Sequence, residues 1–149
     1  MNTKLKGDIA EQAVILKTLK KGWDVSVPIG DRLPYDLVLD VEGTLLKIQV
    51  KSAWFDSIKQ NYVVDNRRTK TNRRKMVREE YNDSDFDFAI LYIENLNVYY
   101  IMPSEVFRSY GSEIHLVETD KRQRKPKSAQ YRNAWELILQ RAASAEMPG

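Results

Sequence analysis

Apolar residues at close to helical spacing mark the beginning of the chain. Thr3 is a suitable N-cap, and the segment Lys20-Lys21-Gly22 carries the signals that end a helix. Lysines interact favourably with the negative C-terminal end of a helix, and glycine adopts the left-handed conformation that often follows it. The pattern therefore predicts an amphipathic helix between these signals. Its apolar positions are Leu5, Ile9, Ala13, Leu16 and Leu19.

Short apolar or alternating runs follow, and they are typical of strands. Strands are predicted at 23–28, 37–41, 45–51, 62–64, 86–93 and 98–102. Glu42 and Gly43 are predicted to form the turn between the second and third strands, and a loop is predicted to begin at Trp54. A short helix is predicted from Pro103 to about Tyr110. Ser128 is predicted to cap a last helix, whose buried face consists of Tyr131, Trp135, Leu137, Ile138 and Ala142.

One helix followed by three strands, a hairpin and further helices indicates an α/β domain around a mixed sheet. The 149 residues are enough for a sizeable core, so a single domain spanning residues 1–149 is expected. Basic insertions are expected near residues 66–78 and 121–127. The first insertion is predicted to be a loop or an irregular excursion.

The composition is that of a globular protein, with 42% hydrophobic and 30% charged residues. No apolar run approaches the roughly 18 residues needed to span a bilayer, and the N-terminus lacks an apolar signal segment. No membrane association is therefore expected. The chain has no cysteine, which excludes disulfides and thiolate metal sites. A cytoplasmic location is expected from these features.

Basic residues are unevenly distributed, although the net charge is only +3. Residues 67–78 and 121–127 hold seven and five of the 24 lysines and arginines, which is half of them. Such clusters focus positive potential where a polyanion binds, and solvated surface loops are the alternative explanation. The predicted DNA-binding residues are Arg67, Arg68, Lys70, Arg73, Arg74, Lys75, Arg78, Lys121, Arg122, Arg124, Lys125 and Lys127.

The predicted hairpin 37–51 places polar residues together. A two-residue turn puts Asp36 opposite Gln49, and Lys51 lies two residues further on the same face. The alternative is a type I turn with a glycine bulge, which shifts the register and places Asp36 beside Ile48. The two-residue turn is preferred because it leaves the polar residues of the second strand on one face only.

A carboxylate, an amide and a lysine on adjacent strands are suited to metal-assisted hydrolysis of phosphodiesters. Asp36 supplies a carboxylate to Mg²⁺, with Mn²⁺ as the alternative, because hard cations take oxygen ligands. The side-chain oxygen of Gln49 and the backbone carbonyl of Val50 are further predicted ligands. Glu11, on the first helix, approaches the metal directly or through water. Lys51 is predicted to position the attacking water.

Taken together, these residues resemble the PD-(D/E)XK nuclease superfamily. Pro34-Tyr35-Asp36 corresponds to its PD element, Gln49-Val50-Lys51 to its (D/E)xK element, and Glu11 to the acid that many members carry on the first helix. Residues 22–30 and 48–52 resemble, more narrowly, the homing endonucleases encoded in group I introns of bacteria, notably cyanobacteria. Gln49 departs from the superfamily pattern, which usually has an acid there, but resembles the form found in the intron-associated branch.

This resemblance implies a restriction-endonuclease-like core with an αβββαβ-type mixed sheet flanked by helices. It also implies a site-specific, Mg-dependent endodeoxyribonuclease that cuts double-stranded DNA at a long target site. One active site per chain cannot readily cut both strands, so a homo-oligomer is expected, either a dimer or a dimer of dimers. The last helix is a candidate interface, and packing onto its own domain is the alternative.

Two other functions are compatible with the same residues. A structure-selective nuclease, such as a Holliday junction resolvase, would use the same core, but it has less use for an arginine-rich insertion. A non-catalytic DNA-binding protein on a decayed nuclease fold is the other alternative. Gln49 supports this last function, whereas the presence of Glu11, Asp36 and Lys51 argues against it.

The remaining polar and aromatic candidates are assigned structural roles. His115 lies in an apolar stretch, where a lone histidine is expected to be structural. Alternating aspartates occur without the glycine and closing glutamate of a calcium loop, so a solvated loop is expected there. These aspartates are Asp83, Asp85 and Asp87. The tryptophans, for which core packing is preferred over stacking on bases, are Trp23, Trp54 and Trp135.

Overall fold

The structure is a computed structural model that describes residues 2–71, 76–82, 85–118 and 126–146, without the side chains of 68–71, 76–80 and 146. Its helices are α1 (Thr3–Lys20), α2 (Ser104–Ser109) and α3 (Glu136–Glu146), with 3-10 helices at Glu94–Leu96 and Ala129–Tyr131. Its strands are β1 (Asp24–Ser26), β2 (Leu37–Val41), β3 (Thr44–Ser52), β4 (Trp54–Asp56), β5 (Asn61–Asp65), β6 (Arg67–Thr71), β7 (Met76–Glu80), β8 (Phe88–Ile93), β9 (Val98–Pro103) and β10 (Glu113–Leu116). Within this part of the chain, no helix has the length and apolar character needed to cross a membrane.

Five strands form the central sheet in the order β1-β2-β3-β8-β9. The first three are antiparallel neighbours, β8 runs parallel to β3, and β9 pairs with β8 as a hairpin. The expected mixed sheet flanked by helices is therefore confirmed. Parallel neighbours need a long crossover connection, and the described part of the crossover from β3 to β8 contains β4 to β7. This excursion brings the basic residues to the same end of the sheet as the candidate site.

Apolar side chains cover both faces of the central sheet. On one face, α1 and α3 pack against β2, β3 and β9. On the other face, α2 and a three-stranded sheet of order β10-β5-β4 cover β8 and β9. Because β3 and β8 are enclosed on both sides, they read as nearly continuous apolar runs. Large side chains that are fully buried include Leu37, Leu39, Ile48, Ile90, Leu91, Ile101, Phe107 and Ile114.

The first helix is confirmed, but its cap and buried face differ from the sequence pattern. Asn2, not Thr3, is the N-cap, and its side chain accepts a hydrogen bond from the Lys4 N–H at 2.7 Å. The buried row is Ala10, Val14 and Thr18, which lie four residues apart. The small alanine allows close packing on β3, and the threonine hydroxyl is satisfied by carbonyls of its own helix. The leucines that mark the helical spacing, Leu5, Leu16 and Leu19, are about half exposed.

The prediction that Ser128 caps the last helix is wrong, because α3 begins only at Glu136. Ser128 precedes a 3-10 helix and makes no side-chain capping bond. Arg132 then forms a β-bridge with Tyr100 of β9, and Asn133 adopts a left-handed conformation with φ of 50°. Pairing with the outer strand of the sheet thus prevents helix formation before Glu136. Tyr131 packs instead on the second core, which is the buried cluster on the α2 side of the central sheet that includes Tyr62, Phe86, Phe107 and Ile114.

Two aromatic expectations are confirmed and one is wrong. Trp23 and Trp135 are buried against each other, with ring centroids 6.3 Å apart. Trp54 is 44% exposed and lies on β4 rather than in the predicted loop. The sequence does not reveal this strand because two apolar residues, Trp54 and Phe55, are adjacent and so break the alternation of apolar and polar positions. Both side chains are about half exposed in the structure. The C-terminal helix packs on its own core through Ile138 and Ala142, and Trp135 directly before it joins the same core.

Two neighbouring leucines test the register of β3. Leu46 is 3% exposed and Leu45 is 66% exposed. We expect Leu46→Ala to lower the free energy of unfolding by about 2–5 kcal/mol, because it removes buried methyl groups and leaves a cavity. Leu45→Ala should change that free energy by less than about 0.5 kcal/mol. Urea denaturation measures both values, and the opposite order would mean that β3 is shifted by one residue.

Candidate active site

The turn between β2 and β3 fixes the register of the site. Val41 lies opposite Thr44, so the two-residue turn is confirmed and the bulged alternative is excluded. Both turn residues have positive φ, 53° at Glu42 and 93° at Gly43, as a type I′ turn requires. Glycine adopts this conformation without a steric cost. From this turn, the strand alternation determines which side chains reach each face of the sheet.

Asp36 lies immediately before β2, at the point where β3 continues past its neighbour. Its backbone N–H donates to the Ile48 carbonyl at 2.8 Å, and its Oδ2 accepts from the Val50 N–H at 2.8 Å. The carboxylate thus replaces the strand partner that β2 is too short to supply, and it satisfies a backbone donor. The central sheet itself therefore holds the Asp36 carboxylate in place.

Val50 also directs its carbonyl towards Asp36. In an extended strand, the N–H and C=O of one residue point to the same side, so the Val50 carbonyl faces away from β8. Gln49 is buried, and its Nε2 donates to this carbonyl oxygen at 3.2 Å. A carbonyl oxygen has two lone pairs, so the bond leaves one for another partner. The two predicted neutral ligands are therefore next to each other and next to the carboxylate.

Glu11 approaches the site from α1, on the opposite face of the sheet from Gln49. The pKa of Glu11 is raised to about 7, mainly by burial and in addition by the negative charges of Asp36 and Asp8. Burial also raises the pKa of Asp36, whereas the Val50 N–H and the charge of Lys51 lower it. Two carboxyl groups thus share a poorly solvated site, in which ionising both is unfavourable without a cation.

Lys51 lies on the same face of β3 as Gln49. Its Nζ donates to the Arg67 carbonyl at 3.1 Å and lies 5.2 Å from the centre of the Tyr81 ring. Its charge lowers the pKa of Asp36, so the ammonium and the carboxylate interact. The structure therefore brings together all five residues predicted for the site, Glu11, Asp36, Gln49, Val50 and Lys51.

These residues fit a hard divalent cation. Among the described residues, no three His, Cys, Asp or Glu side chains form a metal-binding group, so an all-carboxylate cage is absent there. Asp36 and Glu11 instead supply two carboxylates, and Gln49 and Val50 supply neutral oxygens. Oxygen donors of this kind are the ligands of Mg²⁺, which keeps several waters in its shell. Burial is the main cause of the raised pKa of both acids, and a bound cation would favour their ionised forms.

The basic stretch after β5 begins and ends in regular structure, so the predicted loop is wrong there. β6 and β7 form an antiparallel two-stranded ribbon in which Arg67 lies opposite Glu80 and Arg68 opposite Glu79. We refer to β6 and β7 as the basic ribbon. The mirrored arrangement of two arginines and two glutamates is the sequence signal that was missed, since opposite charges favour cross-strand pairing.

Two predicted DNA-binding side chains are described. Arg67 is partly exposed, with its Nε 3.5 Å from Asp65 Oδ1, and Lys127 is exposed, with its Nζ 4.5 Å from the centre of the Tyr110 ring. Arg68, Lys70 and Arg78 occupy positions on the basic ribbon, but their side chains are not described. The predictions that lie outside the described residues are Arg73, Arg74, Lys75, Lys121, Arg122, Arg124 and Lys125.

The residues given structural roles make local contacts. His115 lies half-buried on β10, with its Nδ1 3.4 Å from Asn61 Oδ1 and its Nε2 3.6 Å from Glu113. Asp87 accepts a hydrogen bond from the Lys47 N–H at 2.7 Å and so extends the pairing of β3, which is not the solvated loop expected. Asp85 accepts from the Asn82 N–H at 2.8 Å. Asp83 lies outside the described residues.

The family model for PD-(D/E)XK endonucleases matches residues 1–138, which is most of the chain. The chain belongs to the PD-(D/E)XK endonuclease family. It is also similar to a solved structure described as a bacterial homing endonuclease, I-Ssp6803I, with 63% sequence identity and a TM-score of 0.93. That match covers 99% of this chain and 100% of the other. No curated protein matches the chain.

Membership of the PD-(D/E)XK family confirms the predicted fold and the enzyme class. The chain is an endonuclease, and therefore a hydrolase that binds DNA. PD-(D/E)XK nucleases generally use divalent metal ions, which agrees with the oxygen donors around Asp36. Sequence patterns alone did not reveal Tyr81, whose ring lies next to the lysine of the motif, because a tyrosine at the end of a charged segment has no distinguishing spacing.

The raised pKa of Glu11 predicts how stability depends on pH. The folded state favours neutral Glu11, so this contribution is present below its ordinary pKa of 4.5 and is lost as pH rises through about 7. In EDTA we expect Glu11→Gln to be more stable than wild type at pH 8 and to match it near pH 4.5. Mg²⁺ should raise the Tm of wild type at pH 8 by more than that of the variant.

The matched control is Glu42→Gln, which removes an exposed acid in the turn between β2 and β3, at the other end of the hairpin from Asp36. Thermal unfolding by circular dichroism at several pH values measures the three proteins. A stability difference between Glu11→Gln and wild type that is independent of pH would contradict the shared, poorly solvated environment of Glu11 and Asp36.

Proposed function

We propose that the chain is a site-specific, metal-dependent endonuclease that cuts double-stranded DNA at a long target, as an intron homing endonuclease. The observation that carries the proposal is the Asp36 carboxylate, held by the Val50 N–H and interacting with the charges of Glu11 and Lys51. The similar bacterial homing endonuclease supports the target class. A cytoplasmic location goes with this function, because bacterial chromosomal DNA lies there.

The cation that we propose is Mg²⁺, with Mn²⁺ as the alternative. Asp36 and Glu11 would hold it with carboxylate oxygens, and the Gln49 side-chain oxygen and the Val50 carbonyl would complete the protein ligands. A bound divalent cation polarises the scissile phosphate and lowers the pKa of bound water. Gln49 is neutral where most of the superfamily has an acid, so the second negative charge of the site comes from Glu11 instead.

Lys51 acts on the reacting groups through its ammonium. Its Nζ has N–H donors that can orient the attacking water and stabilise the negative charge that develops on the phosphate oxygens. The water oxygen forms a bond to phosphorus and gives up one proton to solvent as the bond to the leaving oxygen breaks, and the leaving oxygen takes up one proton from solvent. No covalent enzyme intermediate is required, because no nucleophilic side chain takes part.

The basic ribbon and the segment near 121–127 are proposed to contact DNA. Arg67 lies at the base of the basic ribbon, and its carbonyl accepts the hydrogen bond from Lys51. A hydrogen bond therefore links the base of the basic ribbon to the candidate site. Arginines suit guanine recognition in the major groove as well as phosphate contact. The residues assigned to this role are Arg67, Arg68, Lys70, Arg73, Arg74, Lys75, Arg78, Lys121, Arg122, Arg124, Lys125 and Lys127.

A homo-oligomer is part of the same proposal, since one active site per chain cannot readily cut both strands. The apolar side of α3 is occupied by its own core, which argues against the C-terminal helix as the main interface. The outer side of α1 exposes three leucines, Leu5, Leu16 and Leu19, at positions that recur on one face of a helix. We propose this face as the contact between copies, in a dimer or a dimer of dimers.

Cleavage assays test the catalytic assignments. A randomised double-stranded DNA library is incubated with the protein and Mg²⁺, with EDTA as the control. We expect discrete cleavage at one recurring sequence, and loss of that cleavage by at least about 100-fold in Asp36→Asn and Lys51→Ala, because each removes a group that acts on the transition state. DNA binding should remain in both variants. Turnover equal to that of wild type in either variant would mean that the substituted residue takes no part in the mechanism.

The same assay separates the alternatives. Cleavage of four-way junctions without cleavage of any linear sequence would indicate a junction resolvase. Binding without a metal-dependent cut would indicate a non-catalytic DNA-binding protein, and cleavage restored by Gln49→Glu would then identify the amide as the cause.

Light scattering after size-exclusion chromatography tests the proposed interface. We expect wild type to be larger than one chain, and Leu16→Glu to shift towards the monomer because it places a charge in an apolar contact. Leu139→Glu is the matched control, since Leu139 is an exposed leucine on α3. Dissociation by Leu139→Glu alone would move the interface to α3.

A further inference from the structure

Two partners of the Lys51 ammonium lie at the base of the basic ribbon. Arg67, whose carbonyl accepts from Nζ at 3.1 Å, is the first residue of β6. Tyr81, whose ring centre lies 5.2 Å from Nζ, directly follows the last residue of β7. Arg67 pairs with Glu80, so the two contacts are adjacent across the ribbon. The lysine of the motif therefore touches both strands where the basic ribbon leaves the core.

The ring of Tyr81 is fixed by the second core. Tyr81 is 9% exposed, and its ring packs edge-on against Phe86 at 5.1 Å and Phe107 at 6.0 Å between centroids. Phe86 and Phe107 also contact each other at 5.6 Å. Three rings in mutual contact leave little rotational freedom, so the ring face offered to Lys51 has a defined position. A cation over such a face is attracted by the ring quadrupole.

The carbonyl of Arg67 is fixed from the other side. Asp65 Oδ1 accepts the Arg67 N–H at 2.9 Å and lies 3.5 Å from its Nε. The intervening residue, Asn66, is 7% exposed, and its Nδ2 donates to the carbonyls of Tyr110 at 3.0 Å and Gly111 at 2.9 Å. The base of β6 is thereby tied to the loop that precedes β10. Movement of the basic ribbon as a unit would displace the Arg67 carbonyl and the Tyr81 ring together.

We propose that Tyr81 is a positioning residue for Lys51, and that the base of the basic ribbon couples DNA docking to cleavage. The inference rests on the proposed function, because it assumes that Lys51 acts in hydrolysis. A basic ribbon docked on the correct sequence holds the ammonium at the scissile phosphate. A basic ribbon displaced by an incorrect sequence shifts the Arg67 carbonyl and the Tyr81 ring away from the ammonium and slows the chemical step. Sequence selectivity then resides in the cleavage rate as well as in affinity.

Single-turnover cleavage at saturating protein tests the positioning role, with the target recovered from the randomised library as substrate. We expect Tyr81→Leu to lower the cleavage rate constant by about 2- to 30-fold, the range that loss of a cation–π contact corresponds to. The Kd for DNA should stay within about 2-fold of the wild-type value, which is a smaller change than the tenfold that corresponds to about 1.4 kcal/mol. Tyr81→Phe keeps the ring face and should restore the wild-type rate constant.

Tyr62→Leu is the matched control for general damage to the core. Tyr62 is 8% exposed and packs in the same core, but its hydroxyl accepts from Asn95 Nδ2 and does not serve Lys51. This variant should lower stability without lowering the cleavage rate constant at a temperature where it is folded. Equal loss of cleavage in Tyr62→Leu and Tyr81→Leu would overturn the positioning role.

Asp65 variants test the other contact and remain informative if Tyr81→Leu does not fold. Asp65→Asn keeps an acceptor for the Arg67 N–H, whereas Asp65→Ala removes it. We expect slower cleavage in Asp65→Ala, with restoration in Asp65→Asn. Equal rate constants in both variants would mean that the Arg67 carbonyl does not position Lys51.

Coupling to recognition is measured with substrates that carry single-base changes in the target. At saturating protein, wild type should cleave the unchanged target faster than the changed ones. The ratio of the two cleavage rate constants should be smaller in Tyr81→Leu. A ratio unaffected by Tyr81→Leu would overturn the coupling. Lys51→Ala is measured in parallel. If that variant cleaves normally, the proposed function of Lys51 fails, whereas normal cleavage by Tyr81→Leu beside an inactive Lys51→Ala overturns only the positioning role.

Discussion

The hydrogen bond from the Val50 N–H to the Asp36 carboxylate joins the central sheet to the candidate active site. It exists because β3 continues past the start of β2, which leaves a backbone donor without a strand partner. A side chain satisfies that donor, so the carboxylate is positioned by the same forces that build the sheet. The places of three residues on β3 also determine the positions of the other groups, which are the Val50 carbonyl, the Gln49 amide and the Lys51 ammonium. The central strand therefore organises the whole group of residues.

This arrangement places acidic groups where the metal-free protein gains little from their charge. Burial raises the pKa of Asp36, and burial together with Asp36 and Asp8 raises the pKa of Glu11. The two carboxylates that are proposed to bind the metal thus repel each other when no cation is present. A neutral Gln49 reduces that repulsion, because a third carboxylate beside Asp36 would raise these pKa values further. The departure from the usual motif is compatible with a working site for this reason.

The excursion between β3 and β8 joins the candidate active site to the segment that is proposed to contact DNA. Its strands form part of the second core, and its basic ribbon leaves that core beside Lys51. An interaction between an ammonium and a buried ring is modest in energy. Its effect here is combined with that of the Arg67 carbonyl, because both groups lie at the base of the basic ribbon and one displacement would change both contacts. The helices on the opposite face supply Glu11, and α1 leaves its outer leucines exposed.

Local sequence determined the elements whose signals lie within a few residues. The Glu42-Gly43 turn, the strand alternation and the spacing from Asp36 to Lys51 specified the hairpin register and the acid, amide and lysine of the site. Tertiary structure decided the rest. Burial set the pKa of Glu11, pairing with β9 delayed the last helix to Glu136, and packing selected Ala10, Val14 and Thr18 over the leucines of α1. Tyr81 contacts Lys51 because folding brings the end of the basic ribbon next to β3. Turn geometry and alternation act between neighbours along the chain, whereas burial and long-range contacts depend on residues that only folding brings together.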